Sequence, residues 1–187
     1  QDGEYGGCFS CLDREGKVFD TDKFIWLQGR EVWMFSMLYN KVEKRQEWLD
    51  CAVQGGEFLK KYGHDGNYNW YFSLDRSGRP LVEPYNIFSY TFATMAFGQL
   101  SLATGNQEYA DIAKKTFKII LSKVDNPKGK WNKLHPGTRN LKNFALPMIL
   151  CNLALEIEHL LDPGYLEQTM VTCIHEVMDV FYRPELG

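Results

Sequence analysis

The sequence Leu12-Asp13-Arg14-Glu15-Gly16 returns 62 residues later as Leu74-Asp75-Arg76-Ser77-Gly78. In each copy a β-prone arm leads into a turn built on Asp and Gly, and a second β-prone arm follows, which is typical of a β-hairpin. A long aromatic-rich helix and then a more polar helix are predicted after each hairpin. The chain therefore contains an internal repeat, and its period is near 60 residues.

Helical periodicity extends this pattern to three pairs of helices, with Asp20 to Asp22 predicted to cap the first helix and Gly63 to end the second. The predicted helices cover residues 21–42 and 43–62, 86–104 and 107–124, and 141–161 and 163–182. One helix of each pair is rich in aromatic residues and the other in charge, as expected for a dry inner layer and a solvated outer layer. We therefore predict an all-α toroid with short β-hairpin inserts, of which three helical hairpins make half. Because an open half would expose a large apolar surface, we expect about as many residues again to follow Gly187.

Composition excludes several classes of protein. The formal net charge is −3, and no basic stripe with interleaved aromatic residues is present, which argues against nucleic-acid binding. No apolar run approaches the roughly 18 residues that a membrane span needs. Five cysteines without tight spacing favour reduced thiols and a cytoplasmic protein, although a chain that opens on Gln1 leaves a removed signal peptide open.

Metal binding is not expected either. Cys8 and Cys11 form a single C-x-x-C pattern in a predicted strand, where residues three apart point to opposite faces. The four histidines, at positions 64, 135, 159 and 175, show no metal-ligand spacing. We interpret His64 as an exposed turn residue.

Trp26 and Arg30 are the strongest candidates for a binding site. On a helix, residues four apart share one face, and Gly29 between them suits a close approach to the backbone. An aromatic ring beside a guanidinium suits a sugar, because the ring packs on C–H groups and the guanidinium donates to oxygens. The alternative is a buried arginine that stacks on the tryptophan and pairs with a carboxylate.

Six ordered motifs along the whole chain resemble the N-acylglucosamine 2-epimerase family. These are Tyr5-Gly6-Gly7-Cys8-Phe9, Leu12-Asp13-Arg14-Glu15-Gly16, Asp20-Thr21-Asp22-Lys23, Trp26-Leu27-Gln28-Gly29-Arg30, Ile87-Phe88-Ser89-Tyr90-Thr91-Phe92-Ala93 and Ala145-Leu146-Pro147-Met148-Ile149-Leu150. The resemblance implies an (α/α)6 barrel and makes residues 1–187 the N-terminal half of a single barrel domain.

The resemblance also implies a reaction, the interconversion of N-acetylglucosamine and N-acetylmannosamine. A proton is removed from C2 of the open-chain sugar and returned to the opposite face, so the enolate between these steps needs an acid, a base and an oxyanion stabiliser. Arg30 falls on the family's stabilising arginine and Trp26 on an aromatic residue of the pocket. The family's two histidines and a glutamate belong to the second half, so no histidine of this chain is assigned and the fragment alone is expected to be inactive.

Three further residues fall where relatives line the pocket: Phe88, Ser89 and Met148. Pro147-Met148 stands where cellobiose 2-epimerases and sulfosugar- or mannose-type isomerases have a histidine. Met148 therefore favours the N-acetylglucosamine branch, where a soft wall could receive the acetamide methyl group.

The family's chemistry requires no cofactor, although ATP often activates its epimerases. The basic loop at residues 125–139 lacks a P-loop pattern and could be an effector site or a solvated connector. A homodimer is possible by resemblance. The alternatives to an N-acetylglucosamine epimerase are an aldose–ketose isomerase, a cellobiose 2-epimerase and a non-catalytic sugar-binding or protein-binding scaffold. A glycoside hydrolase would need two carboxylates flanking the scissile bond, and no such pair is marked.

Overall fold

The computed structural model describes residues 1–84, 86–126, 128, 135, 138 and 142–186. The chain divides into two compact units, residues 1–131 and residues 132–187. The helices of the first unit are α1 Ile25–Lys41, α2 Gln46–Tyr62, α3 Phe88–Thr104 and α4 Gln107–Ser122. Its strands are β1 Cys11–Leu12, β2 Val18–Asp20, β3 Lys23–Phe24, β4 Ser73–Leu74 and β5 Pro80–Val82.

The second unit is a helical hairpin with short irregular turns. It consists of α5 Ala145–Glu156, a 3-10 turn Glu158–Leu160, α6 Pro163–His175, a π-helical segment Glu176–Phe181 and a 3-10 turn Pro184–Leu186. The Asp162 side chain accepts a hydrogen bond from the amide of Tyr165, which caps α6, and Pro163 occupies the first helical position. The predicted three helical pairs with β-hairpin inserts are confirmed.

The two sequence repeats fold into the same turn. The Asp13 carboxylate accepts hydrogen bonds from the amides of Glu15 and Lys17, and Gly16 has a φ of 82°. Asp75, which lies 62 residues after Asp13, accepts a hydrogen bond from the amide of Arg79 in the same way. The predicted hairpins are formed by β1 with β2 and by β4 with β5.

The start of the first helix differs from the prediction. Lys23 and Phe24 form β3, which pairs antiparallel with β4 of the second hairpin, so α1 begins at Ile25. Phe24 is the N-cap residue and makes no side-chain cap hydrogen bond. The predicted cap at Asp20 to Asp22 is therefore wrong, because the pairing of β3 with β4 keeps the chain extended as far as Phe24.

The core of the first unit is organised around α3, which packs against α1, α2 and α4. Most of α3 is buried, including the fully buried Phe97 and Leu100, whereas α2 and α4 bury one face each. Gly63 is the C-cap residue after α2, as predicted, and Gly105 is that of α3, where its φ of 71° is a left-handed conformation. The predicted division into apolar and charged helices is confirmed within this unit.

A buried ionic network joins the N-terminus to β3 and to the second repeat turn. Asp2 and Lys23 are both 0 % exposed, and the Lys23 Nζ lies 3.0 Å from the Asp2 carboxylate. The same lysine donates to the backbone carbonyls of Gly6 and Arg76, and the Arg76 guanidinium donates to Asp2. Burial tends to raise the pKa of Asp2, but hydrogen bonds from Arg76, Lys23 and two amides hold it well below its usual range.

Candidate functional site

Four consecutive residues of α1 have four different neighbours, because successive helical residues point about 100° apart. The Gln28 side chain donates to the carbonyl of Cys8 and accepts from its amide, both at 2.8 Å. Gly29 faces α3. Arg30 is exposed, whereas Glu31 is partly buried. Burial raises the pKa of Glu31, and the thiol of Cys8 opposes this shift.

The Arg30 guanidinium lies between two aromatic rings. Its Cζ is 5.1 Å from the ring centre of Phe92 on α3 and 5.8 Å from that of Trp26, one turn earlier on α1. The two rings are themselves 6.3 Å apart. The two distances from the Arg30 Cζ to the ring centres are within the range of cation–π attraction. The three side chains therefore form one cluster.

Arg30 forms no ion pair with any residue that the structure describes. The interpretation of Arg30 as a buried structural residue clasped by a carboxylate therefore does not hold for the described ranges. Its neighbour Glu31 turns towards Cys8 instead. Within the described residues, the guanidinium therefore has rings but no carboxylate as close partners.

Gly29 allows the close contact between α1 and α3. A Cβ at this position would lie 2.9 Å from the backbone carbonyl carbon and oxygen of Phe92. Real side chains do not tolerate this distance, so only glycine permits this approach. The expectation that Gly29 serves a close backbone approach is confirmed, and the approaching backbone is that of Phe92.

Phe88 and Ser89 stand at the start of α3 in different surroundings. Phe88 is 42 % exposed and lies one turn before Phe92, so the two rings share one face of the helix. Ser89 points elsewhere and is only 2 % exposed. Of these two predicted substrate-binding residues, Phe88 has the more accessible side chain.

Met148 belongs to the second unit. It is 53 % exposed and lines an apolar cavity of about 410 Å³ between α5, the end of α6 and the π-helical segment. The other residues of this cavity are Phe144, Pro147, Cys151, Asn152, Leu155, Cys173, Ile174, Val177 and Met178. The surroundings of Met148 in this unit are therefore apolar, and its role as a wall for the acetamide methyl group stays a prediction.

Two further predictions concern His64 and the basic loop at residues 125–139. His64 is not an exposed turn residue, because its ring stacks on Tyr68 at 4.7 Å and meets Trp70 edge-on at 4.8 Å. The Nδ1 atom of His64 accepts a hydrogen bond from the amide of Gly66, and burial lowers the pKa of the imidazole. Most of the loop at residues 125–139, on which the nucleotide effector depends, lies outside the described residues.

Other classes of site can be assessed for the described ranges. No cluster of three or more His, Cys, Asp or Glu side chains there could hold a metal ion. No described helix is both long and apolar enough to cross a bilayer. Each of the five cysteines is a free thiol.

Sequence reasoning missed two residues of this region, Phe92 as the second neighbour of Arg30 and Gln28 as the partner of Cys8. A signal for Phe92 existed, because it follows Phe88 by one helical turn and Gly29 leaves room for a second backbone. No signal in the sequence pointed Gln28 at Cys8.

Comparison with known proteins agrees with these observations. The helical hairpins with short β-hairpin inserts are those of a helical-barrel protein. The sequence profile of the N-acylglucosamine 2-epimerase family matches residues 7–184, and the chain belongs to this family. It is 40 % identical over 161 residues to the N-acylglucosamine 2-epimerase of Bos taurus and 38 % identical to that of Homo sapiens. Each alignment covers 83 % of this chain and 38 % of the relative.

The fold is also shared with a solved structure. Cellobiose 2-epimerase from Bacillus thermoamylovorans B4167 matches with a TM-score of 0.83 at 20 % identity, over 99 % of this chain and 52 % of that protein. The chain therefore has the fold of about half of an (α/α)6 barrel. It spans well under two thirds of the length of these relatives.

Proposed function

We propose that the full-length protein is an epimerase that interconverts N-acetylglucosamine and N-acetylmannosamine. The proton at C2 of the open-chain sugar is removed and returned to the opposite face, through an enolate. The observation that carries the proposal is the exposed Arg30 guanidinium, which is flanked by two rings and has no carboxylate partner among the described residues. Membership of the family supports the type of reaction, and the relatives at 38 to 40 % identity support N-acetylglucosamine as the substrate.

In this proposal each residue has a defined role. Arg30 donates hydrogen bonds to the carbonyl oxygen, which becomes the enolate oxygen, and stabilises the charge that develops there. Trp26 and Phe88 pack against apolar C–H faces of the sugar. Met148 contacts the acetamide methyl group, with support from its apolar surroundings. Ser89 has weaker support, because its hydroxyl is almost fully buried.

The remaining parts of the proposal concern the whole protein. Residues 1–187 form the N-terminal half of one barrel domain, and the two histidines that transfer the proton belong with an accompanying glutamate to its second half. The chemistry needs no cofactor, a nucleotide such as ATP acts as an effector, and the protein forms a homodimer in the cytoplasm. The five free thiols of this chain support the cytoplasmic location.

The test is incubation of the full-length protein with N-acetylglucosamine in deuterium oxide, followed by NMR and sugar chromatography. We expect N-acetylmannosamine and deuterium at C2. Exchange at C2 with a ketose as the product would instead identify an aldose–ketose isomerase, and epimerisation of cellobiose but not of N-acetylglucosamine would identify a cellobiose 2-epimerase. The structural similarity to a cellobiose 2-epimerase makes the last sugar the necessary comparison substrate. Binding of N-acetylglucosamine without exchange would indicate a non-catalytic scaffold.

A further inference from the structure

We propose that Phe92 is the residue that positions Arg30, by holding the face of its guanidinium. This inference rests on the proposed function, since it concerns how the enolate stabiliser is aimed. The Phe92 ring centre is the nearer of the two aromatic neighbours of Arg30, at 5.1 Å against 5.8 Å for Trp26.

An aromatic support suits an arginine that must bind a substrate oxygen. The ring attracts the cation through its π face, whereas the five N–H donors radiate in the plane of the guanidinium. A carboxylate partner would orient the side chain equally well, but it would occupy two of these donors and neutralise the charge. Because no described carboxylate pairs with Arg30, the rings orient the side chain and leave its donors unused.

Phe92 differs from Trp26 in the structural element that carries it. Trp26 is on α1 with Arg30, so the two move together and neither fixes the direction of the other relative to α3. Phe92 is on α3, and its backbone is locked against α1 at Gly29, where an added Cβ would come within 2.9 Å. A single residue therefore sets both the distance between the helices and the surface on which the guanidinium rests.

The exposure of these groups agrees with this role. Phe92 and Trp26 are half-buried, and Arg30 is exposed. Phe92 is thus not enclosed in the core, and its ring is accessible to the guanidinium. A residue that served the core alone would resemble Phe97, which is on the same helix and fully buried.

The experiment is a double-mutant cycle in the full-length enzyme, with kcat and KM measured for N-acetylglucosamine. We expect Phe92→Leu to lower kcat by about tenfold, as the loss of a partly desolvated cation–π contact predicts, with little change in KM. Phe92→Tyr, which keeps the π face, should restore most of kcat. In the Arg30→Ala background, Phe92→Leu should have no further effect, because the group that it positions is absent.

The control is Tyr39→Leu. Tyr39 is also on α1, and its ring lies 4.3 Å from the ammonium group of Lys44, outside the cluster, so its removal should leave kcat unchanged. If Phe92→Leu does not fold, Phe92→Met replaces it in the cycle. Equal effects of the Phe92 substitution with and without Arg30, or a wild-type kcat in a folded Phe92 variant, would overturn the positioning role and leave the proposed function intact. Absence of epimerisation by the wild-type protein, or full activity of Arg30→Ala, would overturn the proposed role of the site and this inference with it.

Discussion

The backbone of Phe92 lies against Gly29 so closely that a Cβ on the glycine would be 2.9 Å from the Phe92 carbonyl oxygen. This contact joins α1 to α3 at the point where both helices present the side chains of the candidate site. The close approach places the Phe92 ring beside the guanidinium of Arg30, one residue after the glycine. The geometry of the candidate site therefore depends on the absence of a side chain at Gly29.

We expect Gly29→Ala to destabilise the protein although alanine is the better helix former. The added methyl group must push α3 away, and overpacking of this kind costs about 1–3 kcal/mol. Urea denaturation of the full-length protein measures the free energy of unfolding. Gly3→Ala is the control, because nothing lies within 4 Å of its added Cβ, and it should change stability little. Equal stability of the two variants would mean that α1 and α3 can separate freely here.

The two repeat turns provide a matched pair of glycines. Gly16 and Gly78 both have positive φ, so replacement of either by alanine costs about 1–2 kcal/mol of backbone strain. Only at Gly78 does the new Cβ also collide, 2.5 Å from the ring of Tyr62 on α2. Gly78→Ala should therefore lower the urea midpoint more than Gly16→Ala does. The reverse order would show that the second hairpin is not held against α2.

The buried ionic network predicts a strong dependence on Asp2. Asp2→Asn leaves the fully buried Lys23 without its carboxylate, which typically costs about 3–5 kcal/mol. The control Arg79→Met breaks the pair with Asp75 at an arginine that is 84 % exposed, and should cost much less. In the double variant Asp2→Asn/Lys23→Met the buried charge is gone, and part of the lost stability should return. Denaturation midpoints of the three variants decide this.

The same network predicts loss of stability in acid. The folded state holds the pKa of Asp2 below its ordinary value of 3.8, so its contribution is complete above that pH. The contribution is lost as the pH falls below 3.8 towards the folded pKa. The wild-type protein should therefore lose more stability below pH 4 than Asp2→Asn does, and parallel acid profiles would contradict the assignment.

His64 predicts a second pH dependence, nearer neutrality. Burial keeps its pKa below the ordinary 6.5, so the unfolded chain takes up a proton that the folded protein resists. Stability from His64 is complete above pH 6.5 and is lost as the pH falls towards the folded pKa. His64→Asn, whose side-chain oxygen can still accept from the Gly66 amide, should remove this slope in unfolding experiments. The control His175→Asn changes an exposed histidine and should keep the slope.

Features that depend on residues near one another in sequence could be predicted. The repeated Asp and Gly turns, the apolar and polar helices, and the shared face of Trp26 and Arg30 all follow from local periodicity. Gly29 predicted a close contact, but the sequence did not name the opposite backbone.

What could not be predicted arises from pairing between distant segments. The first helix begins late because Lys23 and Phe24 pair with β4, about 50 residues further along the chain. The neighbour Phe92 and the pairing of Gln28 with Cys8 likewise depend on how α1 meets other elements. His64 was predicted to be exposed because its surrounding turn is polar, whereas Tyr68 and Trp70 enclose its ring.

The rate of deuterium exchange at C2 of N-acetylglucosamine, measured for Arg30→Ala in the full-length protein, tests the central claim most directly. Arg30 makes no ion pair with the described residues, so its removal loses mainly the contacts with Trp26 and Phe92 and should lower the free energy of unfolding by only about 1–2 kcal/mol. If its guanidinium stabilises the enolate, exchange should fall by about 10²- to 10³-fold. Exchange at nearly the wild-type rate in a folded Arg30→Ala protein would contradict the account.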